Sequence, residues 1–277
     1  MNKKIYNYAI DADKETLEQF RNCYSEKFVV AAALMPDAHL GYAAPIGAVL
    51  KTKNFIVPAW VGFDIGCGLI ALRIQGKNMV EKTKKNQDGI YSKVMRKIPM
   101  GVGSYNKPEK ITDKTRKEFM ELLEKFGKKP HDKNVLDYLK TTAIRHLGTL
   151  GGGNHFIELG TQGDTPKIQV NPYGFSIAAK PPKKKEELWL VIHSGSRGIG
   201  HNVAKKYMIR ASGSREKSKY EKTFPLDVNS EIGKEYLNVL EFGLAYALLN
   251  RMEMAYKVVE ALEEIFGEKI KYEVWVN

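Results

Sequence analysis

Two neighbouring stretches decide the fold: residues 29–50 read VVAAALMPDAHLGYAAPIGAVL, and residues 55–74 read FIVPAWVGFDIGCGLIALRI. Short apolar runs interrupted by glycine and proline are typical of β-strands joined by tight loops. Charged segments with helical spacing precede and follow these stretches. Strand patterns and helix patterns are therefore both present, and the predicted fold class is α+β.

Outside these stretches, helical and strand patterns alternate with glycine-rich or basic loops. Residues 12–27 have helical spacing, and Cys23 on their apolar face is expected to be a small buried hydrophobe. The other predicted elements are, in chain order, a largely helical region over 76–147 with a cap at Thr112 or Asp113, strands at 155–160, 167–170 and 188–193, a basic loop over 208–228, one or two long helices over 230–266, and a strand at 271–276. In the long helical region a bend at Gly243 is one option, and the apolar positions expected to face the core are Ile232, Tyr236, Leu240, Leu244 and Leu248.

The composition indicates a folded protein that attracts polyanions. The chain has 277 residues, of which 43% are hydrophobic and 10% aromatic, and these values are typical of globular rather than disordered proteins. Lysine and arginine number 44 against 32 acidic residues, so the formal net charge is +12. Such an excess favours nucleic acid as a partner, although many small basic proteins bind none.

The cysteine count and the apolar pattern indicate the compartment. Cys23 and Cys67 are the two cysteines, which excludes a disulfide framework and suits a reducing cytosol. The first residues contain no apolar run of the kind that a secretory signal requires. The longest apolar stretch is interrupted by Pro58 and Asp64, which is unfavourable for a membrane span. We therefore expect a cytoplasmic protein.

The sharpest local motif is Gly-Phe-Asp-Ile-Gly-Cys-Gly at residues 62–68. Its three glycines permit a tight loop in which Asp64 and Cys67 converge on one ion. A thiolate at this place can bridge two metals while the carboxylate holds one of them. The alternative is a glycine-rich turn around a buried cysteine.

The second motif is LGTLGGGNHFIE, a glycine-rich loop that runs into a predicted strand. Successive backbone N–H groups of the loop that ends at Gly153 form a nest for phosphate. On a strand, Asn154, Phe156 and Glu158 share one face, which suits a nucleotide. His155 falls on the other face, where it can bind a metal. A lone histidine in a strand is more often a hydrogen-bonded core residue, and the neighbouring polar residues are what favour the ligand.

The third motif is VIHSGSRG at residues 191–198, an apolar strand that ends in His193 and is followed by a small-residue turn and a predicted helix. Unpaired N–H groups at the helix start, with Ser194 and Arg197 beside them, make an anion site. Taken together, the three motifs predict a metal-assisted phosphoryl or nucleotidyl transfer site. Soft ligands alone favour zinc, so the ligand types leave the metal open.

Four ordered motifs resemble those of the RtcB family of RNA ligases, also called tRNA-splicing ligases; they read PDAHLGYAAPIGAVL, GFDIGCGL, LGTLGGGNHFIEL and VIHSGSRGIGH. The resemblance implies a single catalytic domain over residues 1–277, with packed β-sheets flanked by helices. It also implies an enzyme of RNA repair or tRNA splicing that joins 3'-phosphate or 2',3'-cyclic phosphate RNA ends to 5'-hydroxyl ends. GTP and two Mn²⁺ ions are the implied cofactors, and a helper protein stays open as a further partner.

Each motif also carries implied site residues. The resemblance implies that Cys67 bridges the two metal ions and that His193 binds one of them. Asp64 and His155 are implied to complete the coordination of the other ion. The residues implied to bind the nucleotide or its phosphates are Gly153, Asn154, Phe156, Glu158, Ser194 and Arg197.

In the RtcB family a histidine attacks the α-phosphate of GTP. The resemblance implies that this histidine lies in a motif beyond Asn277. No histidine occurs between Lys206 and Asn277. We therefore expect a C-terminally truncated ligase that is inactive as this fragment, with its guanylylated histidine missing. Two alternatives from other classes are a non-catalytic RNA-binding protein and a metal-dependent phosphoesterase that opens RNA cyclic phosphates with activated water.

Overall fold

The computed structural model of the chain describes residues 3–161 and 187–276. Its helices and strands are, in chain order, β1 (Lys4–Asn7), α1 (Lys14–Ser25), β2 (Val29–His39), β3 (Ile46–Thr52), β4 (Phe55–Ile56), α2 (Pro58–Val61), β5 (Gly68–Gln75), α3 (Met79–Lys85), α4 (Gln87–Lys97), α5 (Asp113–Gly127), α6 (Lys133–Tyr138), α7 (Ile144–His146), β6 (Phe156–Thr161), β7 (Leu188–Ser194), α8 (Arg197–Ser212), α9 (Lys217–Tyr220), β8 (Leu226–Asp227), α10 (Glu231–Phe266) and β9 (Lys271–Val276). Sheets flanked by helices confirm the predicted α+β class. The strand predicted at 167–170 lies outside the described residues.

The described residues form two compact units, each assembled from separate parts of the chain. The first comprises residues 3–63 and 202–237. The second comprises residues 64–161, 187–201 and 238–276. That the whole chain acts as one catalytic domain stays a prediction.

In the first unit, helix α1 packs on a three-stranded sheet. Strand β1 runs parallel to β2, and β2 pairs antiparallel with β3. The helix begins after Asp13, whose carboxylate accepts a hydrogen bond from the Thr16 amide at 2.7 Å and so caps the first turn. Phe20 joins Leu34 in the core between helix and sheet. Cys23 is 2% exposed, which confirms the prediction of a small buried hydrophobe.

The second unit is built on a four-stranded antiparallel sheet in the order β6-β7-β5-β9. Alternate residues of its two central strands, such as Ile70 and Ile192, are fully buried and pack with residues of α4 and α10. Gly68 lies opposite Ser194, and His193 lies opposite Phe156. This register brings the loop before β5, the loop before β6 and the turn after β7 to one end of the sheet.

The long predicted helical region is one helix, α10, of 36 residues. Gly243 does not bend the helix. It allows Ile65 to pack closely against α10, because a Cβ there would lie 2.6 Å from the Ile65 side chain. The predicted inward face is partly wrong, since Leu244 is 57% exposed. The buried face instead includes Phe242 and Tyr246. Among the described residues, neither α10 nor another helix combines the length and the apolar character needed to cross a membrane.

Two other expectations can be compared with the structure. The cap predicted at Thr112 or Asp113 is Thr112, whose hydroxyl accepts a hydrogen bond from the Thr115 amide at 3.3 Å. The basic loop predicted over 208–228 is wrong in three places, because α8 continues to Ser212, α9 covers Lys217–Tyr220 and β8 covers Leu226–Asp227. Apolar side chains explain the continuation, because Tyr207 and Met208 are buried on α8 in spite of the basic residues that follow.

Candidate metal and nucleotide site

The loop before β5 folds as tightly as its glycines predict. Gly62 and Gly66 have φ angles of 84° and 76°, a region that other residues rarely adopt. A Cβ on Gly66 would also lie only 2.8 Å from that of Ala247. The Cys67 amide donates to the Asp64 carbonyl at 3.0 Å, which closes a turn and brings the two side chains to the same side.

The structure brings the four predicted metal ligands together. Donor atoms of Asp64, Cys67 and His155 all lie within 4.8 Å of one another. Within this group, His155 Nε2 is 2.9 Å from Asp64 Oδ2 and 3.6 Å from Cys67 Sγ. His193 approaches the same sulfur, with its Nε2 atom 3.1 Å from Sγ. The thiol therefore lies between two imidazole nitrogens, beside one carboxylate.

The two histidines present the same nitrogen to the cluster. Nδ1 of His155 lies 3.0 Å from the Leu150 carbonyl oxygen, and Nδ1 of His193 lies 3.1 Å from that of Asn154. Because a carbonyl oxygen only accepts hydrogen bonds, each Nδ1 donates to its carbonyl and each Nε2 faces the cluster. The Nε2 atom of His193 offers its lone pair there, and the Nε2 atom of His155 lies within hydrogen-bond distance of the Asp64 carboxylate. The carbonyls of the second motif thus orient both rings.

Hydrogen bonds from the turn after β7 hold Asp64 in place. The Ser196 hydroxyl and the Arg197 amide donate to Oδ1 at 3.4 Å and 3.2 Å. Burial by itself raises the pKa of Asp64, but the hydrogen bond and charge of His155 and the charge of Arg197 outweigh it and hold the pKa below its usual value. Asp64 is therefore a carboxylate at neutral pH.

The Cys67 thiol keeps its proton in the metal-free protein. Burial, followed by the negative charge of Asp64, raises the pKa of Cys67 to about 11. Burial and the charge of His155 lower the pKa of His193, which favours the neutral imidazole that a cation requires. A cation that binds the sulfur must therefore displace its proton.

The glycine-rich loop and the start of β6 border this cluster. Gly151 and Gly153 have φ angles of 87° and 76°, so the loop needs glycine at both positions. Asn154, Phe156 and Glu158 are exposed, as the predicted nucleotide face requires, and the Phe156 ring lies edge-on to His193 with centroids 5.5 Å apart. The strand begins at Phe156, so Asn154 belongs to the loop before it instead of to the predicted strand.

Residues at the end of β7 and in the turn after it are packed against the cluster instead of being exposed to solvent. Ser194 is fully buried, and its hydroxyl donates to the Leu150 carbonyl at 3.1 Å. This places the Ser194 side chain against the glycine-rich loop, and no surface is left for the phosphate contact that we expected of it. Arg197 begins α8 with a φ of 61°, and its guanidinium lies 3.2 Å from His155 Nδ1.

Comparison with known proteins identifies the family. A family model described as tRNA-splicing ligase RtcB matches residues 19–277. The chain belongs to the RtcB family. RNA-splicing ligase RtcB of Escherichia coli strain K12 is 28% identical over 286 residues, which cover 97% of this chain and 62% of that protein. tRNA-splicing ligase RtcB of Nanoarchaeum equitans is 28% identical over 312 residues, covering 98% and 61% respectively. The chain thus spans less than two thirds of the length of these relatives.

Two polar residues of α10 also contact the candidate site, although none of the four motifs contains them. Asn250 and Arg251 are buried and hydrogen-bonded to the loops that carry the candidate ligands. In sequence they interrupt an apolar helix pattern. A polar pair in such a pattern is the one signal that could have identified them.

Proposed function

We propose that this chain carries the metal- and guanine-nucleotide-binding part of a GTP-dependent RNA ligase. The proposed reaction joins RNA ends with a 3'-phosphate or 2',3'-cyclic phosphate to 5'-hydroxyl ends, with two Mn²⁺ ions as cofactors. The position of Cys67 is the observation that carries the proposal, because its sulfur lies 3.6 Å and 3.1 Å from the Nε2 atoms of His155 and His193. Membership of the RtcB family supports ligase chemistry.

The donor set around Cys67 fits divalent cations. A thiolate has lone pairs for two ions, and both imidazoles turn their Nε2 atoms toward the sulfur. In this proposal Asp64, Cys67 and His155 would hold one ion, while Cys67 and His193 would contribute to the other. Thiolate and imidazole also suit zinc, so the preference for manganese follows from the family resemblance.

The chain's own residues bind and orient the reactants in this proposal. When bound, the ions neutralise phosphate charge and polarise the phosphorus–oxygen bonds. Backbone N–H groups of the loop ending at Gly153 face the phosphates. Asn154 and Glu158 hold the guanine nucleotide, Phe156 lies against it, and Arg197 adds positive charge. The histidine that would take the guanylate is outside the motifs matched here, so we assign that role to no residue.

The test of the proposed function uses the full-length gene product. We incubate it with Mn²⁺, GTP labelled at the α-phosphate, and RNA that has 2',3'-cyclic phosphate and 5'-hydroxyl ends. The expected products are a histidine-linked guanylate and a joined RNA. A protein that binds metal but takes no label contradicts the proposal. A 3'-phosphate product formed without GTP would support the phosphoesterase, and RNA binding without either product would support the non-catalytic binder.

Replacing Glu158 with alanine is expected to weaken GTP binding and to leave ATP binding unchanged. A carboxylate accepts hydrogen bonds from the N–H groups on the guanine edge, and adenine lacks that arrangement of donors. Hydrogen bonds to a charged group contribute about 1.5–3 kcal/mol, so we expect a loss of about tenfold to a hundredfold in GTP affinity. The measurement is a titration with a fluorescent GTP analogue in competition with GTP or ATP.

The matched control for this substitution is Glu268→Ala. Glu268 is an exposed carboxylate of the same unit, and it pairs with Lys82 at 2.5 Å instead of facing the site. The control is expected to bind GTP like the wild type. Unchanged GTP affinity in Glu158→Ala would remove this residue from the nucleotide site.

A further inference from the structure

Helix α10 presents two consecutive buried polar residues to the loops that carry the candidate metal ligands. Asn250 is fully buried and Arg251 is 6% exposed. Burial of polar side chains is unfavourable unless their groups are paired. The hydrogen-bond partners of both residues lie in these loops, so their burial serves the site instead of the helix core.

Arg251 joins the loop that places Cys67 to the end of strand β7, which carries His193. Its Nη1 atom donates to the Gly66 carbonyl at 2.7 Å and to the Ser194 carbonyl at 2.8 Å. Gly66 directly precedes Cys67, and Ser194 directly follows His193. The pairing of β5 with β7 ends at Gly68 and Ser194. Arg251 therefore continues the connection between the two strands beyond the point where the sheet stops.

Asn250 joins the glycine-rich loop to the turn after β7. Its side-chain oxygen accepts from the Thr149 amide at 3.2 Å, and its side-chain nitrogen donates to the Thr149 carbonyl at 3.2 Å. The same nitrogen lies 3.2 Å from the Gly195 carbonyl and 3.3 Å from the Ser194 hydroxyl oxygen. One amide thus satisfies backbone groups of both loops.

Arg251 also carries a charge without a counter-ion of its own. Among the described residues, no carboxylate forms a salt bridge with its guanidinium. A buried cation is costly unless an anion lies near it. Burial lowers the pKa of Arg251, and the negative charges of Cys67 and Asp64 in the candidate site oppose that effect.

We propose that Asn250 and Arg251 are positioning residues with separable tasks. Arg251 fixes the spacing of Cys67 and His193, and Asn250 fixes the glycine-rich loop beside them. This inference rests on the proposed function, because it assigns the two residues to the metal and nucleotide subsites of that function. It adds that the subsite shared by Cys67 and His193 depends on helix α10.

The other subsite shares Cys67, but its two remaining ligands, Asp64 and His155, are held independently of Arg251. His155 contacts Asp64 directly, and the turn after β7 donates two hydrogen bonds to the Asp64 carboxylate. Loss of Arg251 is therefore expected to weaken the ion at Cys67 and His193 much more than the ion at Asp64 and His155. Groups that orient metal ligands typically change metal affinity about tenfold to a hundredfold when removed.

The test measures Mn²⁺ binding by electron paramagnetic resonance and Co²⁺ binding by optical absorption. Arg251→Met, Arg251→Lys, His193→Ala and Asp64→Ala are compared with the wild-type full chain. We expect Arg251→Met to retain one ion tightly, to bind the second about tenfold to a hundredfold more weakly, and to have the Co²⁺ spectrum of His193→Ala. Arg251→Lys keeps the charge and enough donors for both carbonyls, so its second ion should bind more tightly than in Arg251→Met.

A matched asparagine controls for general destabilisation. Asn238 lies in the same helix, is buried, and donates to the Phe126 and Pro130 carbonyls at 3.0 Å and 3.1 Å, in neither case to a ligand loop. Asn250→Ala should weaken binding of the fluorescent GTP analogue, whereas Asn238→Ala should lower only the melting temperature. If Arg251→Met does not fold, Arg251→Gln, which lacks the charge and the guanidinium that spans both carbonyls, carries the same comparison.

Three outcomes would overturn the inference. They are two tightly bound ions in the folded Arg251→Met or Arg251→Gln variant, equal weakening of both ions in that variant, and equal loss of nucleotide affinity in Asn250→Ala and Asn238→Ala. A wild-type chain that binds neither Mn²⁺ nor Co²⁺ at Cys67 is a different result, because it contradicts the proposed function itself. The two failures are therefore distinguishable.

Discussion

Replacing Cys67 with alanine is expected to abolish binding of both Mn²⁺ ions. The sulfur is the atom that the two candidate subsites share, since His155 of the loop before β6 and His193 of strand β7 approach it at 3.6 Å and 3.1 Å. Alanine removes that shared donor, so each subsite loses the sulfur and keeps only its remaining ligands. Asp64→Ala should instead weaken chiefly one ion, because its carboxylate contacts His155. Metal content after dialysis, together with Mn²⁺ titration, measures both effects.

The chain offers a control for the loss of a thiol. Cys23 is the other cysteine of the chain, and it is 2% exposed. It lies in the first unit, which contains none of the candidate ligands. Cys23→Ala should lower stability slightly through lost packing and leave Mn²⁺ uptake unchanged. Equal Mn²⁺ uptake by the wild type and Cys67→Ala would refute the bridging role.

Much of the fold could be predicted because the spacing of hydrophobic residues along the chain indicates whether a segment is a helix or a strand. The helix containing Cys23, the final strand and the cap at Thr112 all follow from short-range pattern. The prediction of which face of α10 points into the core is partly wrong, because contacts between residues distant in sequence also decide burial. Polar residues such as Asn250 and Glu253 are buried there through partners distant in sequence. A periodicity argument assigns such residues to solvent.

The candidate site could likewise be predicted only in part. Its ligand types could be predicted from three short motifs, since each motif contains a complete loop with its glycines. Their convergence depends on the pairing of β5, β6 and β7, which places three loops at one sheet end. The supporting role of Ser194 could not be predicted, because a serine in a small-residue turn resembles an anion-binding group until its burial is known.

Gly195→Ala is expected to displace Asp64 and to weaken the ion that Asp64 helps to hold. A Cβ at Gly195 would overlap both carboxylate oxygens of Asp64. The carboxylate has little freedom to retreat, because the Ser196 hydroxyl, the Arg197 amide and His155 already hold it. We expect Mn²⁺ affinity at this subsite to fall about tenfold to a hundredfold, as for other changes that disturb ligand orientation. Manganese titration of the folded variant measures the loss.

Two further variants separate displacement of Asp64 from general strain in Gly195→Ala. Gly89→Ala places a Cβ in helix α4 with its nearest neighbour, the Ile265 side chain, at 3.9 Å, so it should fold normally and gain about 0.5–1 kcal/mol of stability. In the double variant Gly195→Ala/Asp64→Ala, the added methyl group meets no carboxylate. Its Mn²⁺ affinity should therefore equal that of Asp64→Ala alone, because both changes act through one side chain. Additive losses would mean that Gly195 supports the site through the backbone of the turn.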